Sequence, residues 1–178
     1  MPDSEGRLYL FEALALREAY DQRITLLEKL LDPEQGRRGA LHFGASESEE
    51  LQPVAEFRPD AIEAELKKLK TRRLKLNQEI QVANFRSEIR FDGEEISLAQ
   101  ALEVRKRLLT ERGELFRRVV DAAYSRVLHK EERDVIKEPT RPFARTYDEF
   151  HTQLSRLREL LTAIQRANHT VTVAFRDE

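Results

Sequence analysis

Residues 80–91 read IQVANFRSEIRF, and residues 164–175 read IQRANHTVTVAF. Both stretches open with IQxAN and carry a phenylalanine seven positions after the asparagine. Residues 8–17 (LYLFEALALR) and 96–105 (ISLAQALEVR) form a second matching pair, with the pattern (L/I)xLxxALx(L/V)R. The first pair is offset by 84 residues and the second by 88, in the same order along the chain. Two such matches predict an internal repeat, with copies at 6–91 and 93–175.

Each copy is predicted to contain a helix, a loop, a second helix and a short strand. In the first copy, apolar positions spaced by four and three residues run from about 10 to 31 and favour one helix face. That helix ends at Asp32, because a residue before proline is pushed out of the helical region. Pro59 is a favourable first residue for the second helix. The intervening loop, 34–58, is predicted to be either a mobile segment or a structured lid.

In the second copy, two capping boxes mark the predicted helix starts. Ser97 with Gln100 opens the third helix, and its apolar face fades between 128 and 138. Thr146 with Glu149 is predicted to open the fourth helix. The segment 129–145 between these helices is dense in charge. Phe143 in that segment either anchors a partner or tucks against the helices, and the sequence does not separate the two.

The predicted fold class is all-α. We expect a single domain over residues 1–178, with four long helices arranged as two duplicated antiparallel hairpins in a coiled-coil-like four-helix bundle. Two short β-strands, at 86–91 and 170–175, are expected near the pseudo-two-fold axis. They are predicted to pair antiparallel with each other, because an unpaired strand leaves backbone groups unsatisfied. Leftover apolar surface would then favour a homo-oligomer.

Composition limits the classes of function. Charged residues make up 36% of the chain, well above the usual share of about 25%, as expected for long amphipathic helices. The chain has no cysteine, which excludes disulfides, thiol catalysis and cysteine-based metal sites. A net charge of −2 gives no overall attraction to nucleic acid or to an anionic membrane. We expect a cytoplasmic protein with no membrane span, because no apolar run reaches 18 residues and the first residues lack a signal-peptide core.

The pattern of these motifs resembles a bacterial family of small helical proteins of unknown function, some of which are labelled septicolysin-like. The start ALxxRxxLxxRI typical of that family is matched by Ala13, Leu14, Arg17, Tyr20, Arg23 and Ile24. Its closing IQxxN-aromatic-Thr pattern is matched at 164–170, with His169 at the aromatic position. The chain departs from the family pattern at 126–145. The resemblance implies a helical fold and self-association, and it brings no activity; nothing in the sequence looks pore-forming.

Six polar residues occupy equivalent positions in the two copies: Arg17 and Arg105, Gln81 and Gln165, Asn84 and Asn168. In antiparallel hairpins, the start of one helix lies beside the end of the next, so these residues are predicted to gather at one end of the bundle. Paired guanidinium groups with amides could hold an anion there. The structural alternative is that the arginines satisfy helix carbonyls and the asparagines cap helix ends.

Other constellations predict no chemistry. The basic run at 67–75 points all around a helix axis and lacks aromatic residues, so a solvated helix is favoured over a nucleic-acid surface. Asp148 and His151 have an acid-x-x-His spacing, but a helical di-iron site needs two such motifs. No glycine-rich phosphate loop, nucleophile elbow or HExxH motif is present. We therefore expect no metal, no cofactor and no catalytic residue.

The sequence favours a non-enzymatic structural or interaction protein that self-associates and has room for a further protein partner. One alternative is a nucleic-acid or anion-binding protein that uses the repeated arginine and asparagine positions. A second alternative is an enzyme whose site forms between subunits. A specific biological role does not follow from the residues.

Overall fold

The structure, a computed structural model, describes residues 6–32, 52–131 and 133–177. Four helices make up 68% of these residues, which confirms the predicted number of helices. They are α1 (Leu10–Leu31), α2 (Pro59–Arg86), α3 (Leu98–Ala122) and α4 (Phe143–Thr170). In the described part of the chain, no helix is both long and apolar enough to cross a membrane. Most of the predicted loop 34–58, including its acidic residues, lies outside the described residues.

In the described residues six short strands accompany the helices, so the chain is mostly helical with short strands and not all-α as expected. They are β1 (Arg7–Tyr9), β2 (Glu88–Phe91), β3 (Glu94–Ser97), β4 (Arg126–Leu128), β5 (Val135–Lys137) and β6 (Thr172–Ala174). The strands form three antiparallel two-stranded ribbons, β1–β6, β2–β3 and β4–β5. The two predicted strands do exist, as β2 and β6, but each pairs with the strand that leads into a helix and not with the other.

Local turn chemistry explains the β2–β3 pairing. Asp92 and Gly93 connect the strands, and Phe91 lies opposite Glu94 in the register. Asp92 has a φ of 53° and Gly93 a φ of 85°, the left-handed pair that a tight two-residue hairpin turn requires. The sequence contained this turn signal, yet the prediction did not follow it to a local hairpin.

The chain divides into two compact units. Unit 1 comprises Met1–Ala83 together with Thr172–Glu178, and unit 2 comprises Asn84–Val171. Unit 1 is therefore discontinuous in sequence: β6, which follows α4, is paired with β1 at the start of α1. Unit 2 is continuous and contains β2–β3, α3, β4–β5 and α4.

In unit 1, long polar side chains join α1 to α2. Arg73 Nε lies 2.8 Å from Asp21 Oδ1, and Lys70 Nζ lies 2.7 Å from Glu28 Oε1. Since residue numbers rise along α1 as they fall along α2, the two helices run antiparallel. Tyr20, Leu27, Leu69, Leu76 and Ile80 are the large buried side chains on these two helices beyond Leu10.

Helices α3 and α4 of unit 2 also run antiparallel. Gln153 Nε2 donates to Glu111 Oε2 at 2.6 Å, and the rings of Phe116 and Phe150 lie 6.3 Å apart. The buried side chains between them include Leu108 and Leu160, both with 0% exposure. The turn of the β2–β3 ribbon is fixed by α4, since Arg156 donates to Asp92 and its guanidinium carbon lies 5.5 Å from the centre of the Phe91 ring.

The predicted start of the third helix is confirmed. Ser97 is its N-cap, and its Oγ accepts a hydrogen bond from the Gln100 backbone N–H at 3.1 Å. The helix ends at Ala122, earlier than predicted, because residues 126–128 leave it to pair with 135–137.

The predicted capping box at Thr146 and Glu149 is wrong. α4 already begins at Phe143, directly after Pro142. Thr146 is 1% exposed, and its Oγ1 donates to the Pro142 carbonyl at 3.0 Å, so it lies inside the first turn and does not cap it. Glu149 instead accepts from Arg145 Nε at 3.1 Å.

Strand β6 and the residues after it are held against the helices of unit 1. Val173 and Phe175 are buried, the Tyr20 hydroxyl donates to Asp177, and Arg72 Nη1 lies 3.4 Å from Asp177 Oδ1. Burial raises the pKa of Tyr20 to about 12, and the hydrogen bond to Asp177 adds to this shift. Unit 1 thus holds the tail through both apolar and polar contacts.

Leu160 and Leu161 are neighbours on α4, with 0% and 42% exposure, and they test the packing of unit 2. We expect Leu160→Ala to lower the free energy of unfolding by about 2–5 kcal/mol, because it leaves a cavity in the core. Leu161→Ala should change it by only about 0.5 kcal/mol. Urea denaturation measures both variants. Equal losses would contradict the described orientation of α4.

Tyr20→Phe tests the tail contact in unit 1. We expect a loss of about 1 kcal/mol in the free energy of unfolding near neutral pH, for one hydrogen bond. Because the folded-state pKa is raised, the contribution is fully present below pH 10 and disappears as the pH rises towards about 12. The stability gap between wild type and Tyr20→Phe should therefore narrow above pH 10. Tyr124→Phe, at a 72% exposed tyrosine, is the control and should show no such gap.

Candidate functional site

The six repeated polar residues lie in helices. Arg17 is on α1, Gln81 and Asn84 are on α2, Arg105 is on α3, and Gln165 and Asn168 are on α4. Arg17, Asn84 and Asn168 are half-buried, and the other three are exposed. Within each unit, no hydrogen bond between described residues joins one of the six to another. Their gathering at one end stays a prediction.

Two of the six have a polar partner that the sequence did not indicate. Arg17 Nη1 lies 3.4 Å from Asn77 Oδ1, across the α1–α2 pair. Gln165 Nε2 lies 3.0 Å from His169 Nε2, one turn further along α4. Both contacts fit a structural role for these side chains.

The structure instead draws attention to one end of unit 2. Eight large apolar side chains there are at least 44% exposed, and they come from the end of α3, the β4–β5 ribbon and the start of α4. We call these residues the tip surface: Phe116, Val120, Tyr124, Val127, Leu128, Ile136, Phe143 and Tyr147. Scattered exposed apolar residues are normal, but a concentration of them marks an interaction surface.

Ring contacts connect part of this surface into a continuous row, the aromatic ladder. Phe143 stacks on Tyr147 with 5.4 Å between ring centres, and Tyr147 meets His151 edge-on at 4.5 Å. His151 lies 6.1 Å from Phe150, which in turn lies 6.3 Å from Phe116 on α3. The spacing 143, 147, 151 places three of these rings on one face of α4. The ladder therefore crosses from α4 to α3.

His151 belongs to this ladder. In the sequence it stood three residues after Asp148, a spacing used by metal ligands. Its ring contacts Tyr147 and Phe150. Among the residues that the structure describes, no group of three or more histidine and acidic side chains is placed to hold a metal ion.

Beside the end of α3, a cleft of about 270 Å³ opens between that helix, the β4–β5 ribbon and the segment that leads into α4. We call it the basic cleft. Four cationic side chains line it (Arg118, Arg126, Lys137 and Arg141), together with the carboxylates of Asp121 and Glu138. Tyr124 and Thr140 complete the polar lining. The sequence showed the charge of this region but not the cleft, because its walls come from three segments.

The tip surface was only partly predictable. Phe143 stood out in the sequence as an aromatic between Pro142 and Arg145, with two open interpretations. It is 46% exposed and stacks on Tyr147, so it contributes to the surface. Three further members lie on strands that the sequence analysis did not predict. Phe116 and Val120 each lie one position after a half-buried residue of α3, outside the apolar face predicted for that helix.

The comparisons with known proteins agree with the fold and assign no activity. The chain is similar to a protein from Corynebacterium diphtheriae whose crystal structure is described as that of a functionally unknown conserved protein. The TM-score is 0.67 and the sequence identity 26%, over 94% of this chain and 99% of that chain. No curated protein matches the sequence.

A comparison with protein-family models shows which family the chain belongs to. Residues 49–173 match DUF6847, which is described as a family of unknown function. This agrees with the resemblance to a family of unknown function, whereas the septicolysin-like label has no counterpart in the match and stays a prediction. Because the match spans well over half of the sequence, the chain belongs to the DUF6847 family.

Proposed function

We propose that this protein is a non-enzymatic interaction protein that self-associates, with the tip surface of unit 2 binding the same surface of a second copy. The observation that carries the proposal is the continuous aromatic ladder, which lies largely open to solvent. Phe116 is 58% exposed, Phe143 46% and Tyr147 44%. Burying such rings is the main source of binding energy in many interfaces.

The size of the tip surface is suitable for a dimer contact. An aromatic side chain buries about 150–250 Å² when fully covered, so each half-exposed ring offers roughly 100 Å². Four members of the tip surface are rings of this kind, so together they offer about half of the area of about 800 Å² per partner that a stable interface buries. The aliphatic members add to this area, although Leu128 lies on the opposite face of the ribbon from Val127 and Ile136. The surface can therefore supply a large part of a dimer contact.

The charges around the tip surface suit a contact between identical surfaces. Arg145 pairs with Glu149 at 3.1 Å, Arg118 with Glu114 at 3.3 Å, and Arg126 with Asp121 at 3.0 Å. Positive and negative groups are thus interleaved. In a two-fold contact the same patch occurs on both sides, so a patch of one sign would repel its copy. A mixed patch avoids that repulsion, which favours a second copy over a strongly charged partner.

The proposal includes the duplication predicted from the sequence, with two helical hairpins related by the repeat. Equivalent positions are supported by equal burial: Leu10 and Leu98 are both 1% exposed, and Leu76 and Leu160 both 0%. Both first helices of the copies follow a strand directly, and in both an acceptor side chain at the third helical position bonds the capping N–H. Glu12 accepts from Tyr9 at 2.8 Å, and Gln100 accepts from Ser97 at 2.9 Å.

A further equivalence concerns the strand that ends each copy. Arg156 of the second copy holds Asp92, which directly follows Phe91. Arg72, its counterpart 84 residues earlier, holds Asp177, two residues after Phe175. In each case the arginine belongs to one copy and the strand to the other. This reciprocity supports a duplicated unit whose closing strands have been exchanged.

Self-association is tested by light scattering and sedimentation over a wide range of concentration. We expect wild type to dimerise, and Phe116→Ser and Tyr147→Ser each to weaken the dimer at least about tenfold, a loss of about 1.4 kcal/mol. Phe85→Ser is the matched control, since Phe85 is 71% exposed and lies outside the tip surface. It should leave the dimer unchanged.

Two results would overturn this proposal. A single-chain mass for wild type at every concentration would remove self-association altogether. A dimer that survives both ladder substitutions, or that Phe85→Ser dissociates equally well, would place the contact elsewhere. Circular dichroism confirms that each variant keeps its helices, so that a change in mass reports on the surface and not on unfolding.

A further inference from the structure

We propose that the basic cleft binds a small phosphate monoester that carries a planar ring, the chemical class of a nucleoside monophosphate. This inference rests on the charged walls of the cleft and on Tyr124, which the cleft shares with the tip surface.

The charges that line the cleft are not balanced. Arg126 is paired with Asp121, and Arg118 lies 3.3 Å from Glu114, which is outside the cleft. Glu138 accepts a hydrogen bond from Ser125 Oγ at 2.7 Å. Within the described part of the chain, neither Lys137 nor Arg141 has a carboxylate oxygen within 4.0 Å. Among the residues that line it, four cations face two carboxylates, which leaves an excess of two positive charges for an added anion.

The β4–β5 ribbon concentrates this positive charge. Arg126 and Lys137 are direct partners in its register. Like charges directly opposite each other in an antiparallel ribbon are destabilising unless an opposite charge lies near both. Asp121 forms an ion pair with Arg126 at 3.0 Å, and Lys137 forms none with a described residue. A bound dianion would serve Lys137 and relieve the repulsion, so ligand binding and ribbon stability should be coupled.

The groups present suit a phosphate in particular. Arginine offers a planar fork of donors that matches phosphate oxygens, lysine adds a compact positive charge, and the Thr140 hydroxyl can donate a further hydrogen bond. The last carbonyls of α3 end near Ala122 and disfavour an anion, which is why the excess of cations is needed. A ligand with two negative charges is therefore favoured over a single carboxylate.

The volume of the cleft and one exposed aromatic ring further restrict the class of ligand. A volume of about 270 Å³ is just below the usual range for small-molecule sites, about 300–1,000 Å³, and suits a ligand the size of a mononucleotide. Tyr124 lines the cleft and is 72% exposed, so its ring face is open for stacking by a planar base.

Isothermal titration calorimetry at low ionic strength tests the site with three probes: adenosine monophosphate, inorganic phosphate and adenosine. We expect the monophosphate to bind most tightly, phosphate more weakly and adenosine not at all. Lys137→Ser and Arg141→Ser should each weaken the monophosphate about tenfold, as expected for one charge-assisted contact. Tyr124→Ala should weaken the monophosphate and leave phosphate unchanged.

Lys130→Ser is the matched control, because Lys130 is an exposed cation of the segment between β4 and β5 that does not line the cleft. It should leave binding unchanged. The proposal is overturned if neither the monophosphate nor phosphate binds, or if Lys130→Ser weakens binding as much as Lys137→Ser. It is also overturned if a single-stranded oligonucleotide binds far more tightly than the monophosphate and depends on the same residues.

Discussion

The pairing of β6 with β1 is the constraint on which unit 1 depends. It brings a strand from the far end of the described chain to the residues that open α1, with Leu8 opposite Val173. Val173 and Phe175 are buried in unit 1. Asp177 accepts a hydrogen bond from Tyr20 and pairs with Arg72. Without β6, the backbone donors and acceptors of β1 would be exposed. The first turns of α1 would also lose the apolar side chains of β6 that pack near them.

Unit 2 also contains a pair of strands directly before a helix, but here the two strands are close in sequence. β2 and β3 are joined by a two-residue turn, and Leu98, the first residue of α3, donates its N–H to the Ser87 carbonyl at 2.8 Å. Arg156 fixes the turn from α4. Two residues separate β2 from β3, whereas more than a hundred and fifty separate β1 from β6. In both pairs, one strand lies directly before a helix whose first residue is a buried leucine.

The helices were largely predictable, because their signals are local. α1 has the predicted bounds, α2 begins at Pro59, and Ser97 caps α3. The predicted capping box at Thr146 was wrong because the Thr146 hydroxyl donates to a backbone carbonyl inside the first turn of α4. The sequence pattern does not distinguish this role from capping. The β2–β3 pairing was predictable from the Asp92-Gly93 turn, whereas β1 and β6 are three-residue strands far apart in sequence and carry too little pattern to identify each other as partners.

The candidate surfaces were hidden from sequence analysis for a different reason. Phe116 and Tyr147 each lie one position after a buried or half-buried residue, and only the folded structure shows how much of each ring stays exposed. The basic cleft depends on the ribbon that brings Arg126 beside Lys137. The repeated polar residues stood out because they occupy matching positions in the two similar stretches of sequence, and such a match alone does not separate a structural requirement from a binding role.

The discontinuity of unit 1 has a consequence for synthesis. The ribosome produces residues 84–171, the whole of unit 2, before it produces the strand that unit 1 needs. Unit 2 can therefore fold while the chain is still growing, whereas β1 must wait without a partner until residues 172–177 emerge. During that interval the unpaired edge of β1 is open to other extended chains. The order of translation thus delays the completion of unit 1 until after all of unit 2 has been synthesised.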